Sequence, residues 1–262
     1  MYICVIPNPT HPLNYHERTN HILPACSYTL QENLNNISNY ANNHQMRINT
    51  EKCKVMMFNT GRKIDAVPQL TLPGMGGKYL EVVESFKLLG VKIRSDLKWS
   101  ENTDYICQRG YSRLWMLRRL KALGANESEL VDVYEKQVRS LLELAVPVWQ
   151  PSLTLQESIQ IERVQKTAFN IILGNQYEGY EIALNKLGQV RLSSRRQKLC
   201  QKFAKKCRKN SKYSNWFCPE IFGPSKTRLG MKRKATQLKT VPARTKRFEN
   251  SPLPFMTRIL NQ

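Results

Sequence analysis

The chain has four aspartates, and their placement limits its chemistry more than any other residue type. Metal-assisted attack on phosphate needs hard oxygen ligands gathered at one point, usually as paired or clustered carboxylates. Asp65, Asp96, Asp104 and Asp132 are each isolated in sequence, and none lies before residue 65. Glu17 and Glu32 are the only acids before residue 50. The histidines His11, His16, His21 and His44 all precede residue 45, with no His-x-Asp pair, so an iron site of two His and one carboxylate is not encoded. Cys4, Cys26, Cys53, Cys107, Cys200, Cys207 and Cys218 form no C-x-x-C pair, and their odd number and scatter predict reduced thiols. The spacing of the last three is wrong for a zinc knuckle.

Charge is the stronger signal. The formal net charge is +21, and residues 186–262 hold 21 of the 41 Lys and Arg against only Glu220 and Glu249. A one-signed excess confined to the last third predicts contact with a polyanion, RNA or DNA backbone above an acidic membrane. No run approaches the roughly 18 apolar residues of a membrane span. The N-terminal "MYICVIPNPTHP" lacks the basic flank of a signal peptide and stops at prolines. Together these predict an intracellular protein, nuclear or cytoplasmic, that is neither secreted nor membrane-bound.

The elements that must carry these residues follow from spacing. Residues 1–28, with four prolines, are expected to form an irregular leader. Thr29 and Glu32 form a capping-box pattern, with Leu30, Leu34, Ile37 and Ala41 on one helical face. Extended pieces follow at 46–49, 53–58, about 69–72, 79–83 and 86–93, with a hairpin-like turn around Pro73 and Gly74–Gly77. From Ser100 onward the pattern is helical: about 101–123; a segment capped by Asn126 and Glu129 that buries Leu130, Val133, Val138, Leu141 and Leu142; one capped by Thr154 and Glu157 through Ile172; then about 178–187 and 192–209. Residues 210–262 are basic, broken by five prolines, and expected to be largely disordered. The fold class predicted is α+β, mostly helical after residue 100.

The wording inside these elements is more specific than their order. "NNHQMRINTEKCKVMMFN" (42–59) and "SFKLLGVKIRSDLKWSENTDYICQRGYSRLWMLRRLKALG" (85–124) resemble the palm-to-thumb passage of reverse transcriptases of non-LTR retrotransposons. The matching positions are Leu30 and Gln31; Met46, Asn49, Lys52, Cys53, Lys54, Met56 and Phe58; and Leu89, Gly90, Val91, Ile93, Leu97 and Trp99. The likeness continues through 147–154, 161–174 and 192–206, about two thirds of the chain in all, and departs at Leu144, where an aromatic is usual. It implies a partial palm at 29–99, a helical thumb-like region at 100–209 and a basic tail at 210–262.

That resemblance also implies roles. Lys52 and Lys54 would help hold primer or nucleotide phosphates, or are ordinary lysines flanking a turn. Leu89-Gly90-Val91 resembles the segment leading to the primer grip, or contains a simple strand glycine. Arg118, Arg119 and Lys121 would touch backbone phosphates, or merely suit the helix dipole. Arg195 and Arg196, following a cap at Ser193, would contact phosphate, as would Lys202, Lys205 and Lys206. Trp99, Trp115 and Trp149 are expected to be core or inter-helix anchors rather than base-stacking platforms.

The aromatic-x-Asp-Asp hairpin that such a polymerase places before the Thr29 helix is not in this sequence. No catalytic residue is therefore assigned, and no cofactor for this chain. Mg²⁺ belongs only to an intact parent enzyme. The reading is a fragment of an RNA-directed DNA polymerase, inactive alone, that retains non-specific RNA or DNA binding. A non-catalytic nucleic-acid-binding or helical interaction module is the alternative. Residues 100–145 also look somewhat like a helical segment of tRNA-modifying oxygenases, an enzyme class for which the metal ligands are missing.

Overall fold

The computed structural model describes residues 3–5, 23–58, 69–73, 76–217, 238, 242–243 and 245–261. The chain is of the α+β class, mostly helical with two small sheets. It divides into two compact units, Met1–Lys98 and Trp99–Gln262.

In the first unit, strands β1 (Ile3–Val5), β2 (Lys54–Met57) and β3 (Glu81–Val82) form a parallel sheet with β2 in the centre. Helix α1 (Leu23–Asn43) contributes Leu34 to a core with Cys53, Val55, Leu70, Leu72 and Leu80, and Leu30 and Ile48 pack at its margin. Gln31 acts as a substitute strand: its Nε2 donates to the Thr71 carbonyl (3.0 Å) and its Oε1 accepts from the Thr71 N–H (3.0 Å). The turn read around Pro73 and Gly77 is visible as an antiparallel bridge between Thr71 and Tyr79, with the Leu80 N–H donating to the Leu70 carbonyl.

Four expectations for this unit need correction. The leader is not irregular throughout, because β1 pairs with β2 and α1 starts at Leu23. Thr29 therefore lies inside α1, not at its N-cap. Residues 46–49 form no strand. The stretch read as one extended piece at 86–93 is a hairpin, β4 (Ser85–Leu88) and β5 (Val91–Arg94), turning at Leu89-Gly90. Both turn residues have positive φ, 48° and 90°, as a two-residue primed turn requires. Leucine is an uncommon residue for such a turn, which is why the alternation across it reads as continuous.

The second unit opens with α2 (Ser100–Ala122), α3 (Glu127–Val133), a π-helical stretch at Tyr134–Arg139, and the short α4 (Ser140–Leu142) and α5 (Val146–Trp149). Helix α6 (Leu155–Leu173) runs along α2, and Gly110 permits the approach. A Cβ there would sit 2.9 Å from Val164 and 3.3 Å from Leu142. Then come α7 (Tyr180–Lys186) and α8 (Leu192–Lys209). The two capping boxes expected in this unit form, Asn126 with Glu129 on α3 and Thr154 with Glu157 on α6. The packed face of α2 carries Ile106, Cys107, Gly110, Leu114 and Leu117, while α6 contributes Ile161, Val164, Ala168 and Phe169.

Past residue 210, in the tail expected to be largely disordered, part of the chain is helical. Short helix α9 (Lys246–Glu249) leads to α10 (Pro252–Leu260), which packs on α8. Met256 joins Ala204, Cys207, Phe217 and Leu238 in a small core. Pro252 and Pro254 do not break α10 because both lie in its first turn, where the N–H groups have no intrahelical partner to lose. Residues 218–237 lie outside the described residues.

Candidate nucleic-acid interface

Helix α8 explains its own geometry through spacing. Leu192, Arg196, Cys200, Ala204 and Cys207 recur every three or four residues and are buried. The opposite side carries Lys198, Lys202, Lys205 and Lys209, at i, i+4, i+7 and i+11, all exposed. At a rise of about 1.5 Å per residue this lysine row spans roughly 16 Å. Lys206 and Arg208 flank it, also exposed. The helix holds no Asp or Glu. Among the described residues no carboxylate pairs with any of these six cations.

The N-terminal end of α8 is held by another helix. Arg191 occupies the N-cap position but offers no side-chain cap. In its place Glu162 of α6 accepts from the Leu192 N–H (2.9 Å) and the Ser193 N–H (3.1 Å), and Gln165 accepts from Leu192 (3.1 Å). A carboxylate at this end also meets the positive pole of the helix. The Tyr180 hydroxyl donates to Glu162 (2.5 Å); burial and the neighbouring carboxylate together push the phenol far above its ordinary range. Ser193, expected as the cap, is the second helical residue and receives Glu162 through its backbone.

Arg196 was expected at phosphate and is instead a core residue. It is 0% exposed, its Nε donates to Gln150 (2.6 Å), one Nη donates to Ser158 (2.8 Å), and Glu162 stands 3.9 Å away. Burial lowers its affinity for the proton, opposed by the Glu162 charge. No phosphate can reach it while α8 is folded. The signal was in the sequence: position 196 falls on the Leu192–Cys200–Ala204 face.

The remaining assigned cations divide by what they touch. Arg195 makes a two-point ion pair with Glu143 (2.5 and 3.1 Å), and Glu143 also faces Arg139. Lys121 donates its ammonium to the Ile171 (2.7 Å) and Ile172 (2.9 Å) carbonyls, closing the C-terminal end of α6. Lys54 pairs with Glu81, its neighbour across β2 and β3. Arg195, Lys121 and Lys54 thus have partners within the fold already. Lys52 is exposed on a short turn, and Arg118 and Arg119 are exposed on α2. Lys202, Lys205 and Lys206 belong to the open face of α8. Lys198 and Lys209 were missed, although the i, i+4, i+7, i+11 spacing marks them.

Comparison with family models, with curated proteins and with solved structures found no match.

Each described aspartate has its own partner. Asp96 closes the turn after β5 by accepting from Arg94 (3.0 and 3.2 Å) and from the Lys98 N–H (3.0 Å), and the Arg94 guanidinium holds its carboxyl down at about 2. Asp104 accepts from Gln160, and Asp132 pairs with Lys136 one helical turn on. Asp65 lies outside the described residues. Among the described residues no group of three or more His, Cys, Asp or Glu is placed to hold a metal ion. Nor is any helix among them long and apolar enough to cross a membrane. Cys107 and Cys200 are buried free thiols that desolvation pushes up to about 12 and about 11, opposite to the shift that activates a nucleophile. Trp99 and Trp149 are core anchors as expected, the latter donating Nε1–H to the Leu144 carbonyl (2.8 Å). Trp115 is not, being 58% exposed.

Proposed function

We propose that this chain is a nucleic-acid-binding piece related to non-LTR retrotransposon reverse transcriptases, which grips RNA or DNA through the phosphate backbone and performs no polymerisation of its own. The row Lys198, Lys202, Lys205 and Lys209 carries this reading. Its ammonium groups have no counterion among the described residues, and the other face of their helix is anchored in the core. Phosphate neutralisation supplies affinity without sequence preference, because no base edge need be read. The palm and thumb assignment rests on the motifs at 42–59 and 85–124, and the absence of polymerisation rests on the four dispersed aspartates.

The test is fluorescence anisotropy with labelled nucleic acid, comparing the full chain with a Lys198→Gln, Lys202→Gln, Lys205→Gln, Lys209→Gln variant. The variant is expected to bind at least tenfold more weakly. Equal affinity would contradict the reading. Magnesium-dependent primer extension by the purified chain would contradict the second half.

A further inference from the structure

Helix α2 presents a second surface that the lysine row does not explain. Its outward face carries Tyr111, Trp115, Arg118 and Ala122 at i, i+4, i+7 and i+11, with Gln108 and Arg119 beside them. The residues directly before them in sequence, Gly110, Leu114 and Leu117, lie about 100° round the helix and are buried. Tyr111 is 41% and Trp115 58% exposed. Among the described residues neither ring stacks on another aromatic, and no cation lies over either. Arg118 and Arg119 are exposed within about one turn of Trp115, and among the described residues no ion pair engages them.

Two large rings on adjacent turns, followed by two guanidinium groups, match one chemistry closely. Unpaired bases offer flat faces to an aromatic ring, and the phosphates joining them offer charge to arginine. In a duplex the base faces are already stacked on each other, so only single strands can use such rings. We infer that the Tyr111–Trp115–Arg118–Arg119 face of α2 is a stacking platform for single-stranded RNA or DNA. It rests on the reading that the chain binds nucleic acid, and it adds a preference that the lysine row cannot supply. The row grips any backbone, whereas the platform discriminates in favour of unpaired bases.

The experiment compares a labelled 20-nucleotide dT strand with a labelled 20-base-pair duplex on the full chain. The variants are Tyr111→Ala with Trp115→Ala, and Trp115→Phe, which keeps a ring able to stack. Both positions are exposed, and retained circular dichroism establishes that the variants fold. The double variant should lose roughly tenfold to a hundredfold affinity for dT, with less than threefold change on the duplex. Trp115→Phe should keep most of the dT affinity while abolishing the part of the tryptophan quenching that dT produces in the unaltered chain. Equal loss on both ligands, or none on dT, overturns the platform and leaves backbone binding standing. A double variant that disperses a self-associated form of the chain without changing dT affinity also overturns it, marking the face as a protein contact. If the unaltered chain binds neither ligand, both readings fall.

Discussion

Replacing Glu162 by Gln removes one charge and almost no volume, so its effect isolates what the carboxylate does. The wild-type carboxylate accepts from two backbone N–H groups at the start of α8 and from the Tyr180 hydroxyl. Charge at a partly buried helix N-terminus contributes up to about 2 kcal/mol. The same charge offsets Arg196, which is wholly buried with its nearest carboxylate 3.9 Å away. Breaking one side of a buried ion pair costs about 3–5 kcal/mol, because the other charge stays behind without its partner. Glu162→Gln should therefore destabilise by about 3–5 kcal/mol. With an urea slope of about 2 kcal/mol per molar, the midpoint should fall by about 1.5–2.5 M. Arg196→Met alone should cost less, about 1–2 kcal/mol, because Glu162 keeps the Leu192 and Ser193 N–H groups and the Tyr180 hydroxyl as donors. The double variant should be more stable than Glu162→Gln by about 1–3 kcal/mol. Urea titrations followed by tryptophan fluorescence read all four corners of the cycle. A Glu162→Gln cost below about 1 kcal/mol, or additivity within about 0.5 kcal/mol, would refute the claim that this pair anchors α8.

Other perturbations follow from particular contacts. Leu89 has a φ of 48° and is 87% exposed, so Leu89→Asn should relieve about 1 kcal/mol of backbone strain, read as slower amide exchange in the β4–β5 hairpin. Lys121→Met should destabilise by about 1 kcal/mol through loss of the ammonium on the last carbonyls of α6, while leaving nucleic-acid affinity within twofold in an anisotropy titration. Asp96 is held at about 2 by its hydrogen bonds from Arg94, below the ordinary carboxylate value of 3.8. Its stabilisation is therefore complete above pH 3.8 and disappears as the pH falls toward 2. After allowance for solvent screening, Asp96→Asn should cost about 0.5–1 kcal/mol at pH 7, with the difference closing between pH 4 and 2 in urea titrations.

Local signals were readable where the chemistry is contained in a few adjacent residues. Asn126 with Glu129 and Thr154 with Glu157 mark the starts of α3 and α6 because both partners of each capping box lie within four residues. The lysine row and the buried face of α8 are likewise a matter of spacing, and attention to it would have moved Arg196 to the core and added Lys198 and Lys209. Other features depend on groups distant in sequence. Nothing near Lys121 indicates that the end of α6, fifty residues on, needs a cation. Gln31 finds Thr71 only once the first unit has folded. Proline was read as a breaker at 252 and 254, yet in a first helical turn it is permitted, and the apolar residues Leu253, Met256, Ile259 and Leu260 then have a helical face. The exposed side of Trp115 was hidden by the general tendency of tryptophan to be buried. On α2 it lies about 100° round from Leu114, off the buried stripe of Gly110, Leu114 and Leu117, which decides otherwise.

The central claim is that α8 holds a nucleic-acid backbone through its lysine row, and the salt dependence of binding tests it most directly. Four neutralised phosphates predict a slope of log K against log salt of about −3.6 on duplex DNA, or a loss of roughly 150-fold between 50 and 200 mM salt. Removing Lys198, Lys202, Lys205 and Lys209 should flatten that slope by about 3 to 4. A wild-type slope near zero, or one unchanged by the four substitutions, would contradict the account.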